Sequence, residues 1–94
     1  MDRATSLAQL ARAEGYVIDG ERQIARQRKI IAQFEDAGAD RCEAAKTARE
    51  LLYSVELAQQ GHIAHRDRLR SLVDQTDAER TINPVRYSAN QVDR

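Results

Sequence analysis

The sequence predicts an all-α fold, an antiparallel two-helix coiled-coil hairpin that dimerises into a four-helix bundle, and three observations predict it. Fifteen alanines, one proline and only four aromatics, with charged side chains at 32% of the chain, favour long helices over sheets. Apolar residues return every seven positions in both halves. The period breaks once between the halves, at a short stretch that carries a glycine.

The first helix is expected at about residues 4–36. Leu10, Val17, Ile24 and Ile31 recur at seven-residue intervals, and Ala13, Gly20, Gln27 and Phe34 follow each by three, which is a seam at period 3.5. Gly15 and Gly20 weaken it, each by about 1 kcal/mol relative to alanine. Asp19-Gly20 also reads as a turn that would cut the helix in two. Against that, the register passes from Val17 to Ile24 without a phase slip, so Gly20 is better explained as a place where two helices approach closely.

The turn is expected at 37–40, within EDAGADRCE. Gly38 suits the left-handed conformation that stops a helix. Asp40 can cap the next helix, with Glu43 three residues on completing a capping box. The second helix, at about 41–75, repeats the seam with Ala48, Val55, His62 and Leu69 in one column and Ala44, Leu51, Ala58, His65 and Leu72 in the other. Each helix is then about 50 Å long at ~1.5 Å per residue. From Thr76 the period is lost, Asn83-Pro84 intervenes, and 76–94 reads as a flexible C-terminal tail.

Folding the hairpin at the turn makes facing residue numbers sum to 78 or 79. Large then meets small: Phe34 faces Ala44, Ile31 faces Ala48, Gly20 faces Ala58 and Ala13 faces His65. The same register brings Arg22, Arg26 and Lys29 alongside Glu50 and Glu56, and Glu14 near His65 and Arg66. A single seam is a thin core for a chain of 94 residues. Leu7, Tyr16, Ile30, Leu52 and Val73 flank it, and Ile18, Tyr53, Leu57 and Ile63 lie farther round. Tyr16, Ile30, Leu52, Tyr53, Leu57 and Ile63 are therefore the interaction candidates, for a homodimer or for another, unidentified protein.

Composition excludes several classes. Acidic and basic residues balance at fifteen each, and no segment carries a net excess, so no global field attracts nucleic acid or an anionic membrane. One cysteine, Cys42, allows neither an internal disulfide nor a four-cysteine zinc site, and points to a reducing cytoplasm. The N-terminal stretch MDRATSLAQLARAEGYV never runs apolar long enough to be expected as a signal or membrane segment. No enzyme is expected: the histidines have no serine or cysteine nucleophile beside them, and no glycine-rich phosphate loop or enclosed pocket is evident. No catalytic residue and no cofactor is assigned.

Three clusters invite a sharper reading. His62 and His65 share a helical face at a spacing that can place two imidazoles on one metal, and Glu14 is the one acid of the first helix near them. The plain alternative is a polar layer in which each ring donates to Glu14, Gln9 or a backbone carbonyl; a third is a packing switch, since imidazoles titrate near pH ~6.5. No metal is assigned. Arg66, Arg68 and Arg70, with Arg22, Arg26, Arg28 and Lys29, form the basic clusters that a nucleic-acid-associated regulator would use. They lack a stacking aromatic and are interrupted by Asp67 and Asp74, so a solvated helix face is the plainer account. Cys42, in a first helical turn, could be a reactive thiol or simply a small residue at a helix start.

The runs ERQIARQRKIIAQFEDAGAD, Glu21 to Asp40, and HIAHRDRLRSL, His62 to Leu72, resemble a set of small uncharacterised helical proteins of alphaproteobacteria. Those read E-R-H-I-A-R-Q-R, a glycine-acid turn, then H-I-A-x-R-D-R-L. Gln23 and Ala39 depart from that pattern, at positions where many of those proteins carry histidine. The resemblance implies a helical hairpin and transfers no activity. The functional expectation is a small protein–protein interaction or regulatory module without catalysis. The alternatives are a nucleic-acid-associated regulator, or a bundle that responds to metal or pH through its histidines.

Overall fold

A computed structural model describes residues 2–92, with side chains described for residues 2–78. Two helices, α1 (Arg3–Asp36) and α2 (Glu43–Val92), pack against each other as an antiparallel hairpin, and among the described residues there is no strand. The molecule is a narrow rod, 80 × 19 × 14 Å.

Local chemistry sets the helix ends. Asp2 caps α1: its backbone is extended and its carboxylate accepts from the Thr5 N–H at 2.7 Å, satisfying one of the donors that a helix start leaves unpaired. At the other end Gly38 has a φ of +70°, as the sequence predicts. The Ala39 N–H donates to the Phe34 carbonyl at 2.8 Å and the Gly38 N–H to Glu35 at 3.0 Å, the paired bonds of a Schellman stop.

The start of α2 differs from expectation. Cys42, rather than Asp40, is the cap: its Sγ accepts from the Ala45 N–H at 3.4 Å and its carbonyl from the Lys46 N–H at 3.1 Å. The cause is an extra turn, closed by the Cys42 N–H on the Ala39 carbonyl at 3.2 Å, which moves the first helical residue to Glu43. Asp40 instead offers its carbonyl to the Arg49 guanidinium at 2.7 Å.

The end of α2 also differs. The helix continues through Thr76 to Val92, past the boundary expected near 75. Loss of the seven-residue period removes seam partners and Pro84 removes one backbone donor, but the other residues can still form helical hydrogen bonds, so the helix outlasts the seam. Arg3 of α1 reaches Asp77 at 2.7 Å, which extends the contact between helices by about one turn. Of the 76–94 segment read as a flexible tail, the side chains from Glu79 on and residues 93–94 lie outside the described residues.

The first helix presents the seam its sequence predicts. Ala13, Val17, Gly20, Gln27 and Ile31 are buried, and Leu10, Ile24 and Phe34 are half-buried. On α2 one expected column holds, with Ala48 and Leu69 buried and Val55 and His62 half-buried. The other is displaced by one residue. Ala45, Gln59 and Val73 are buried and Leu52 and Arg66 half-buried, whereas Ala44, Leu51, Ala58, His65 and Leu72 are exposed. The doublets Ala44-Ala45, Leu51-Leu52 and Leu72-Val73 leave periodicity indifferent at three of the five levels, and at the other two Ala58 and His65 are less polar than Gln59 and Arg66, so hydrophobicity favours the column that the structure turns outward.

Candidate functional site

The most constrained point of the hairpin is where Gln59 crosses Gly20. The Gln59 side chain is buried and its Nε2 donates to the Val17 carbonyl of α1 at 2.8 Å. A Cβ on Gly20 would overlap the Gln59 amide, so any other residue here obliges the glutamine to leave the place it takes against α1. Gln27 makes the reciprocal contact, its Nε2 donating to the Ala48 carbonyl of α2 at 3.0 Å. Each helix thus fixes the other through a buried glutamine. Sequence reasoning put Ala58 opposite Gly20 and missed Gln59, since a polar residue beside an alanine is the poorer seam candidate by hydrophobicity alone.

The one-residue displacement redistributes every candidate. His62 is half-buried at the seam, and its ring stacks on Tyr16 with centroids 5.8 Å apart at 24°. His65, expected inside, is exposed. The Glu14 carboxylate, expected near His65 and Arg66, pairs with Arg70 at 2.9 Å. The three metal candidates are therefore not brought together. Among the described residues no group of three or more His, Cys, Asp or Glu side chains is placed to hold a metal ion.

Three members of the basic clusters are engaged in ion pairs. Arg28 pairs with Glu56 at 3.0 Å, in place of the expected Arg22, Arg26 or Lys29; Arg66 pairs with Asp67 at 2.9 Å and Arg70 with Glu14. These exposed pairs select a register more than they stabilise it. At the open end Asp77 raises the Arg3 pKa by hydrogen bond and charge, and the Thr5 backbone N–H holds the Asp2 carboxyl below its usual range. Cys42 is exposed, with its sulfur serving as a helix cap.

The inter-helix ion pairs beside the seam share one flank. Glu14 and Arg28 of α1 sit one step beyond seam residues Ala13 and Gln27; Glu56 and Arg70 of α2 sit one step beyond Val55 and Leu69. On the opposite flank α1 contributes Gln9, Tyr16, Gln23, Ile30 and Ala37. Facing them along α2 are Ala44, Leu51, Ala58, His65 and Leu72, and none of these ten positions carries Asp, Glu, Lys or Arg. Tyr16 is 51% exposed, Ile30 41%, Leu51 48% and Leu72 51%. Two shallow depressions touch this flank, one at Ile30, Phe34 and Ala37 and one at Arg68 and Leu72.

The interaction candidates thus separate. Tyr16 and Ile30 lie on the uncharged flank, Tyr53 and Leu57 are exposed on the outer surface of α2, and Ile63 is exposed on the charged flank. Leu52 is a correction: it turns into the seam, half-buried, and Leu51 takes the exposed place. No helix among the described residues is long and apolar enough to cross a membrane. Compared with protein-family models, curated proteins and solved structures, the chain matches none of them.

Proposed function

We propose that this chain is a protein–protein interaction module of the cytoplasm, a small adaptor or regulatory unit without catalytic activity, which assembles as a homodimer of hairpins. The observation that carries the reading is the imbalance between interior and surface. Among the described residues the buried apolar ones are three alanines with Val17, Ile31, Leu69 and Val73, and no large side chain is fully enclosed. Nine large hydrophobic side chains among them are exposed, Tyr53 at 68%. So thin a core beside so many exposed large apolar side chains supports a protein that is completed by association.

Sedimentation equilibrium at micromolar concentration tests the self-association. The expected mass is twice the 10.6 kDa of the chain, with a urea midpoint that rises with protein concentration, because dimer stability depends on protomer concentration. A folded monomer with a concentration-independent midpoint rejects the homodimer and leaves a different protein as the partner.

A further inference from the structure

The two flanks of the seam differ in chemistry, and the difference points to a specific occupant. We infer that the uncharged flank is the docking surface for a second copy of this chain. The twofold axis crosses it at Gln23 and Ala58, so that α1 meets α1 and α2 meets α2, each pair antiparallel. The inference rests on the reading of the chain as an interaction module and adds the face and the orientation.

Size is the first support. A flank of two adjacent helices along α1 measures about 50 Å by about 20 Å, enough to bury the ~800 Å² that each partner contributes to a standard specific interface. The exposed halves of Tyr16, Ile30, Leu51 and Leu72 supply its apolar content.

Charge chooses the orientation. Asp19 and Arg26 border this flank on α1, four residues before and three residues after Gln23. A twofold axis at Gln23 sets Arg26 of one copy beside Asp19 of the other, and symmetry makes the pair twice. The competing closed arrangement has its axis parallel to the helices and lays α1 on α2 of the second copy. Because facing residues on the two helices sum to about 79, as Gly20 and Gln59 do, that arrangement brings Arg12 level with Arg68 of the other copy. Two like-charge contacts would replace two complementary ones.

Volume agrees with charge. On the proposed axis Ala58 meets its own counterpart, and so small a side chain lets the two α2 helices approach closely. One step outward, Leu51 meets His65 and Ile30 meets Tyr16; at the ends Ala44 receives Leu72. Large against small at the ends and large against large between them give a continuous layer with no buried formal charge.

The test is a cysteine placed on the axis. In a Cys42→Ser background, Ala58→Cys is expected to form a disulfide-linked dimer on mild oxidation, while Gln60→Cys, on the outer side of α2, does not. Circular dichroism of the reduced variants checks that both fold. A dimer by sedimentation without the Ala58→Cys cross-link overturns the proposed axis through Gln23 and Ala58 but leaves self-association standing. A folded monomer overturns both. Orientation is read separately by charge exchange. Asp19→Arg should weaken the dimer about tenfold, and Asp19→Arg with Arg26→Asp should restore it to within about twofold. A double variant no tighter than the single one overturns the antiparallel arrangement.

Discussion

Gln59 lies across Gly20 so closely that the glycine has no room for a side chain, and the glutamine amide donates to the Val17 carbonyl at 2.8 Å. An alanine in mid-helix ordinarily gains about 1 kcal/mol over glycine. At position 20 that gain is opposed. A Cβ must displace the buried Gln59 amide, whose Oε1 already lacks a partner, and so breaks the Nε2 hydrogen bond to Val17 at a cost of about 1–3 kcal/mol. Gly20→Ala should therefore destabilise the hairpin by about 1 kcal/mol, whereas Gly15→Ala, with open space around the new Cβ, should stabilise it by up to ~1 kcal/mol. Urea denaturation of the two variants decides the matter, and equal gains in both would refute the close approach.

The same pair predicts coupling. Once Gln59→Ala has removed the obstructing side chain, Gly20→Ala should become favourable, so the double-mutant cycle shows an interaction energy of about 1–2 kcal/mol. Additive effects within ~0.3 kcal/mol would mean that the two residues do not share a space.

Gln27→Ala removes the reciprocal hydrogen bond to Ala48 and leaves a gap in a buried position. A loss of about 1–3 kcal/mol is expected by thermal or urea unfolding. Exposed Lys29→Ala, on the outer side of α1, should change stability by less than ~0.5 kcal/mol. If Lys29→Ala proves the more damaging of the two, α1 is rotated relative to the seam described above.

At the turn, Gly38→Ala places a Cβ at a φ of +70° and should cost about 1–2 kcal/mol, with Gly38→Asn milder because asparagine tolerates this region. An unchanged unfolding midpoint for Gly38→Ala would mean that the turn adopts another form in solution.

The expected pH dependence at the N-terminus follows from the Asp2 cap. The Thr5 backbone N–H lowers the Asp2 pKa from its ordinary value of 3.8. A carboxyl whose folded pKa is depressed contributes stability above its unfolded pKa and loses it as pH falls through the folded value. Protection of the first-turn amides against hydrogen exchange should therefore hold at pH 5 and decline below about pH 4, and Asp2→Ala should abolish the pH dependence. Protection that is equal at pH 5 and pH 2.5 would argue against the cap.

Much of this fold was legible before any coordinates. The Gly38 stop, the antiparallel pairing, the α1 seam and the column Ala48, Val55, His62 and Leu69 follow from period and turn chemistry. The capping residue of α2 was not legible, because a cysteine sulfur accepting from the Ala45 N–H is a weaker and rarer signal than the aspartate two residues before it. Nor was the extent of α2, since Thr76 and Asp77 leave the hydrophobic period while remaining helical. Among the candidate residues, Tyr16, Ile30, Tyr53, Leu57 and Ile63 are exposed as their distance from the seam implied, while Leu52 and His65 exchange the surroundings expected for them.

The sequence by itself determined that there are two helices, where the chain reverses, and that a seven-residue repeat joins them. Only the tertiary structure decided which of two adjacent columns on α2 enters the seam. Hydrophobicity is indifferent between Leu51 and Leu52 or between Leu72 and Val73 and favours Ala58 over the buried Gln59, so the choice falls to contacts that no single helix contains. Gln59 fits only over a glycine on the opposite helix, and Glu56 and Arg70 find Arg28 and Glu14 only in that rotation. The same rotation turns Ala44, Leu51, Ala58, His65 and Leu72 outward as an uncharged strip, so the contacts that settle the hairpin also create its docking face.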